Sequence, residues 1–109
     1  MLMTVSVRTG SHPGFGRIVF EAPPNIRYRL TREGDRVTLR FADGVNLVSA
    51  PASPRNVSQL RAAATRADWT VTPGATLREE RVGEHIVIDI VDPTPADSTL
   101  PVEQAGGPA

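Results

Sequence analysis

The chain has 109 residues, 39% of them apolar and 5% aromatic, with twelve Arg against twelve acids, no Lys and no Cys. That length fits one domain, the missing Cys excludes disulfide frameworks and thiolate zinc sites, and no apolar run approaches the roughly 18 residues of a membrane span. Zero net charge argues against nucleic-acid binding but hides an asymmetry: residues 1–49 hold seven Arg against four acids, and residues 50–109 hold five Arg against eight.

Met1-Leu2-Met3-Thr4 lacks the basic and apolar regions of a signal peptide. Val5 and Val7 then alternate with Thr4, Ser6 and Arg8, which predicts a strand, because alternate side chains face opposite sides of a sheet. Gly14-Phe15-Gly16 is too short to cradle a phosphate and precedes a strand, so it reads as a bend. Ile18 and Phe20 alternate with Arg17, Val19 and Glu21, and Pro23-Pro24 stops that strand. Ile26, Tyr28 and Leu30 face opposite to Arg27 and Arg29; Val37, Leu39 and Phe41 face opposite to Arg36, Thr38 and Arg40. Gly34 lies at the tip of that hairpin and Gly83 at the tip of the last one, and at both a type I turn with Gly in a left-handed G1 bulge is expected.

Residues 42–55 are Pro/Gly/Ser-rich and read as the connection to a second half. Val57 to Ala64 reads as a short strand running into a helical turn near 58–64, since Leu60-Arg61-Ala62-Ala63-Ala64 has good helix propensity. Trp69 and Val71 flank Thr70, Pro73-Gly74 turns the chain, and Ile86, Ile88 and Ile90 face opposite to His85, Val87 and Asp89. Glu79 falls at an inward position, so either the hairpin twists out of register there or Glu79 meets an Arg near the sheet edge. The stretch 93–109, with four Pro and two Gly, reads as a linker or a disordered tail, and as a linker it implies a further domain beyond it.

The second half echoes the first without a gap at a spacing of 49 residues (Gly34 to Gly83). Arg29/Arg78, Arg32/Arg81, Gly34/Gly83 and Asp43/Asp92 are identities, and Arg17/Arg66, Phe20/Trp69 and Pro24/Pro73 extend the match upstream. An internal repeat predicts two similar halves. A single hairpin face cannot bury a core, so the halves are expected to pack face to face. The predicted fold is an all-β sandwich of two small antiparallel sheets over residues 1–92.

No catalytic constellation accompanies His12 or His85, no metal-ligand spacing occurs, and no cofactor motif is present, so an enzyme is not expected. Phe20, Tyr28, Phe41 and Trp69 point inward, leaving Phe15 as the one aromatic for a surface platform. The candidate ligand face is the outside of the first hairpin, where Arg27, Arg29, Arg36 and Arg40 come together. Guanidinium forks grip carboxylates and phosphates in pairs.

Arg17-Ile18-Val19-Phe20-Glu21, Ile26-Arg27-Tyr28-Arg29-Leu30 and Asp35-Arg36-Val37-Thr38-Leu39-Arg40-Phe41, with the closing Ile86-Val87-Ile88-Asp89-Ile90, resemble the AMIN domain. That module accompanies periplasmic N-acetylmuramoyl-alanine amidases and pilus secretins. The resemblance covers residues 4–92. It implies a sandwich of symmetric halves, a periplasmic location, and a non-catalytic targeting role binding peptidoglycan or an envelope protein. The alternative expectation is a protein-interaction module acting through an exposed sheet edge.

Overall fold

The structure, a computed structural model, describes residues 3–42, 44–48 and 52–93. The linker reading for 93–109 therefore lies, apart from Pro93, outside the described residues. The strands are β1 (Met3–His12), β2 (Phe15–Glu21), β3 (Tyr28–Glu33), β4 (Arg36–Phe41), β5 (Val45–Val48), β6 (Val57–Ala63), β7 (Arg66–Val71), β8 (Thr76–Val82) and β9 (His85–Val91). They form a five-stranded sheet, β5-β1-β2-β9-β8, packed on a four-stranded sheet, β3-β4-β7-β6. The fold is the expected all-β sandwich. No helix among the described residues is long and apolar enough to cross a membrane.

The halves do not stack as two separate sheets. Each sheet joins the first hairpin of one half to the second hairpin of the other. The junctions are the antiparallel pairs β2–β9 and β4–β7. Their registers are copies: Phe20 opposite Ile86 becomes Trp69 opposite Val37 when moved by the repeat. The chain changes sheet at Pro23-Pro24 and at Pro73-Gly74. Proline donates nothing to a strand ladder, so each strand ends there. Ile18, Phe20, Val37, Leu39, Ala67, Trp69, Ile86, Ile88 and Ile90 are fully buried between the sheets.

Three local expectations are corrected. Val57–Ala63 is a strand, and no helical turn forms at 58–64. Its ladder with β7 shifts register between Ser58 and Arg61, with Gln59 at φ 55, and the bulge turns Leu60 inward. Ladder bonding with β7 overrides the local helix propensity of the Ala run. The 42–55 connection contains a strand, β5, paired parallel to β1 with Val45 and Leu47 buried, so the larger sheet is not wholly antiparallel. At the tips, Glu33 pairs with Arg36 and Val82 with His85, leaving two-residue loops that begin with Gly34 (φ 61) and Gly83 (φ 55). Positive φ at the first loop residue alone matches a Gly-first mirror-image turn rather than a G1 bulge. Glycine therefore carries the unusual φ, and Glu33 and Val82 stay extended in their strands.

The segment before β6 is strapped to the open end of the larger sheet. Arg55 donates through Nε and Nη2 to the Asp92 carboxylate at 2.7 and 2.5 Å, and Asn56 Nδ2 donates to Asp92 at 2.7 Å. These bonds, Arg55's first, lower the Asp92 pKa to about 2. The Arg55 amide donates to Ser11 Oγ, and Thr9 Oγ1 to the Ala52 carbonyl, both at 2.9 Å. The strap runs directly over Gly16: a Cβ placed there would lie 1.9 Å from the Arg55 carbonyl oxygen. Gly16→Ala is therefore expected to lower unfolding free energy by ~1–3 kcal/mol in urea titrations. Gly10→Ala, whose Cβ would meet nothing nearer than His12 Nε2 at 3.5 Å, should stay within about 0.5 kcal/mol of the parent.

Candidate functional site

The outer face of the four-stranded sheet is built by alternation along β3, β4 and β7. With Val37, Leu39 and Phe41 buried, Arg36, Thr38 and Arg40 of β4 point outward. On β3 the same logic exposes Arg29, Thr31 and Glu33. Register then aligns the strands: Arg29 sits opposite Arg40, and Arg40 opposite Arg66. Three guanidinium side chains thus occupy one row across three adjacent strands. The row, with Arg27, Thr31, Thr38 and Glu33, lines an open groove of ≈ 730 Å³.

Like charges directly opposite one another on adjacent strands are destabilising unless something neutralises them. The repeat supplies an internal comparison. The row related to Arg29–Arg40–Arg66 in the other sheet is Arg78–Asp89–Arg17, on the same pairings. There the central carboxylate accepts from Arg17 Nε at 2.8 Å and Nη2 at 3.1 Å, which holds the Arg17 guanidinium above its ordinary pKa. In the groove, Arg40 replaces that carboxylate. Among the described residues, no hydrogen bond or ion pair engages the guanidinium of Arg27, Arg29 or Arg40.

Of the four arginines expected on this face, the structure brings Arg27, Arg29 and Arg40 into the groove. Arg36 lies on the same face but does not line the groove, and its Nη2 donates to Asp68 at 3.1 Å. Asp68, 7% exposed, is the one buried charged residue among those described, and its second oxygen lies 3.4 Å from Arg66 Nε. Arg66 was not among the expected site residues. Its signal was the Arg17/Arg66 match, which places it on an outer face beside the closing strand of the other half. Arg32 and Arg81, identities of the repeat, bind backbone instead: Arg32 donates to the carbonyls of Ala75 and Gly34 at 2.7 and 2.8 Å, and Arg81 to that of Pro23. Each ties its hairpin to the chain beside the opposite sheet.

The remaining chemistry is structural in character. Phe15 is covered by His12, stacked at 4.8 Å, and by Arg17 at 5.2 Å, so it offers no open platform. His85 faces Glu21 at 3.6 Å, and Arg8 reaches the same carboxylate at 2.6 Å. Glu79, at its inward edge position, meets neither an Arg nor a slipped register; it pairs with Ile88 in the regular ladder and accepts the Tyr28 hydroxyl at 2.5 Å. No cluster of three or more potential metal ligands occurs among the described residues.

No protein-family model, no curated protein and no solved structure matches this chain.

Two outcomes follow from this geometry. Arg40→Asp rebuilds the Arg–Asp–Arg row of the other sheet, and we expect it to raise stability by about 1 kcal/mol at low salt, the gain shrinking as salt is added. Chemical denaturation at two ionic strengths checks this. Tyr28 is the chain's one tyrosine. Burial, then the bond to Glu79, pushes its pKa from 10.0 to about 12. The folded state favours the neutral phenol, so this contribution is complete below pH 10 and is lost as pH rises through 12. Phenolate absorbance should titrate near 12 in the folded protein, and lower in Glu79→Gln.

Proposed function

We propose that the chain is a non-catalytic binding module of the cell envelope, acting in the periplasm, whose arginine face holds anionic groups of peptidoglycan. One observation carries the reading: a three-arginine row stands where the twin row of the same molecule carries a carboxylate, Asp89, at its centre. A ligand anion would supply the missing charge. Guanidinium groups stay protonated at any physiological pH, so this face can bind charge but is poorly suited to moving protons. The AMIN resemblance over residues 4–92 supports the envelope assignment, and the sandwich built from two similar halves is the architecture that it implies.

The edge-pairing alternative is less favoured by the strand edges. The outermost strands β3 and β8 carry Arg29, Arg32 and Glu33, and Arg78, Glu79, Glu80 and Arg81. The edge strand β6 is bulged, and β5 is four residues long. Charges, bulges and short strands are devices that discourage pairing with another chain.

An exposed ion pair contributes ~0.2–1 kcal/mol, so affinity for a polymer would arise from several contacts at once and from repeated ligand units. The domain should co-sediment with purified sacculi at low salt and release as salt rises. Arg29→Gln/Arg40→Gln should weaken that binding about tenfold or more. Failure of the unaltered domain to co-sediment at low salt would sink the reading, and binding that persists at high salt would favour edge pairing.

A further inference from the structure

We propose that the groove over Arg29, Arg40 and Arg66 reads carboxylates carried on a peptide chain, rather than phosphates or the sugar rings of a glycan. The inference rests on the peptidoglycan reading above and names the part of that polymer the face would hold. Three observations converge on peptide carboxylates.

The related row shows what this backbone frame accommodates. There, a carboxylate sits beside the Arg17 fork and takes both of its bonds. Planar two-oxygen groups match a guanidinium fork in this way. The groove is also of mixed sign. Glu33 stands on the same strand and face as Arg29, four residues on, or ~13 Å away at ~3.3 Å per residue. Thr31 lies between them, opposite Thr38. A polyphosphate, charged at every unit, would bring anions against Glu33. A peptide alternates anionic side chains with N–H donors that Glu33 and the threonine hydroxyls can accept. Finally, there is no platform for a sugar ring. Tyr28 and Phe41 border the groove, but Phe41 is 3% exposed, and the half-buried Tyr28 ring packs tilted against it at 6.2 Å with the Arg81 guanidinium 5.9 Å from its centroid.

Spacing is compatible as well. Arg29 and Arg66 lie two strand separations apart, ~10 Å, with Arg40 between them. Alternate side chains of an extended peptide are ~7 Å apart on one face. Two carboxylates on such a segment can each lie between a pair of arginines.

The test is NMR titration of the domain with an end-capped tetraglutamate and, separately, with tripolyphosphate. Tetraglutamate should shift the Arg29, Arg40 and Arg66 Nε–H signals. Arg40→Asp, which restores the Arg–Asp–Arg row and so should fold, should weaken binding about tenfold or more; Arg29→Gln/Arg66→Gln should do the same. Arg8→Gln, on the opposite sheet, should leave it unchanged. Tighter binding of tripolyphosphate, unaltered tetraglutamate binding by Arg40→Asp, or no binding of either probe would each overturn the proposal. Sacculus binding without tetraglutamate binding would overturn this inference and leave the envelope reading standing. The reverse result would retain the carboxylate site and remove the polymer.

Discussion

The fold depends on one constraint: neither half can complete its own sheet. Phe20 and Trp69, equivalent positions of the repeat, lie on the central strands β2 and β7 of opposite sheets, both fully buried, with ring centroids 6.4 Å apart. Each strand finds its hydrogen-bonding neighbour in the other half, through β9 and β4 respectively. Burying the aromatic pair therefore requires both exchanges at once, which makes the domain a single cooperative unit rather than two tethered hairpins. The tryptophan is retained although its indole N–H has no partner among the described residues. An unsatisfied buried donor costs ~1–3 kcal/mol, a loss that the large apolar area of the ring can offset.

That constraint also explains what could be read from the residues alone. Period-two alternation at Ile18/Phe20, Val37/Leu39/Phe41 and Ile86/Ile88/Ile90 gave the strands and their buried faces, because a sheet with one wet side imposes that period. The 49-residue echo (Gly34 to Gly83) gave equivalent hairpins. It did not give the exchange between halves, since a repeat states which segments are alike and not which ones pair. β5 escaped because a four-residue edge strand leaves only Val45 and Leu47 as its signature. The Gln59 bulge escaped because the Ala run around it favours a helix locally and is overridden by β7.

The site was legible to the same depth. Alternation placed Arg27, Arg29, Arg36 and Arg40 on one outer face. Long-range pairing decided which of them share a row, and it brought in Arg66 from the other half. Arg36 is drawn to Asp68, a residue whose importance depends on burial that no local pattern reveals. Glu79 likewise needed its tertiary partner, Tyr28, before its inward position made sense.

The repeat places two versions of one charged row within one molecule. The flanking members of the two rows are identities, Arg17/Arg66 and Arg78/Arg29, so the frame is held constant while its centre changes from Asp89 to Arg40. A single position thus turns an internally compensated row into one with three like charges. A second divergence limits the consequences: Asp68 stands where the first half has Val19, and it engages Arg36 and Arg66 at the β4–β7 side of the face. Repulsion is thereby relieved on one side only, leaving Arg27, Arg29 and Arg40 uncompensated on the side toward β3, among the described residues. Unbalanced positive charge therefore remains on that side of the face, where an anion from solution could balance it.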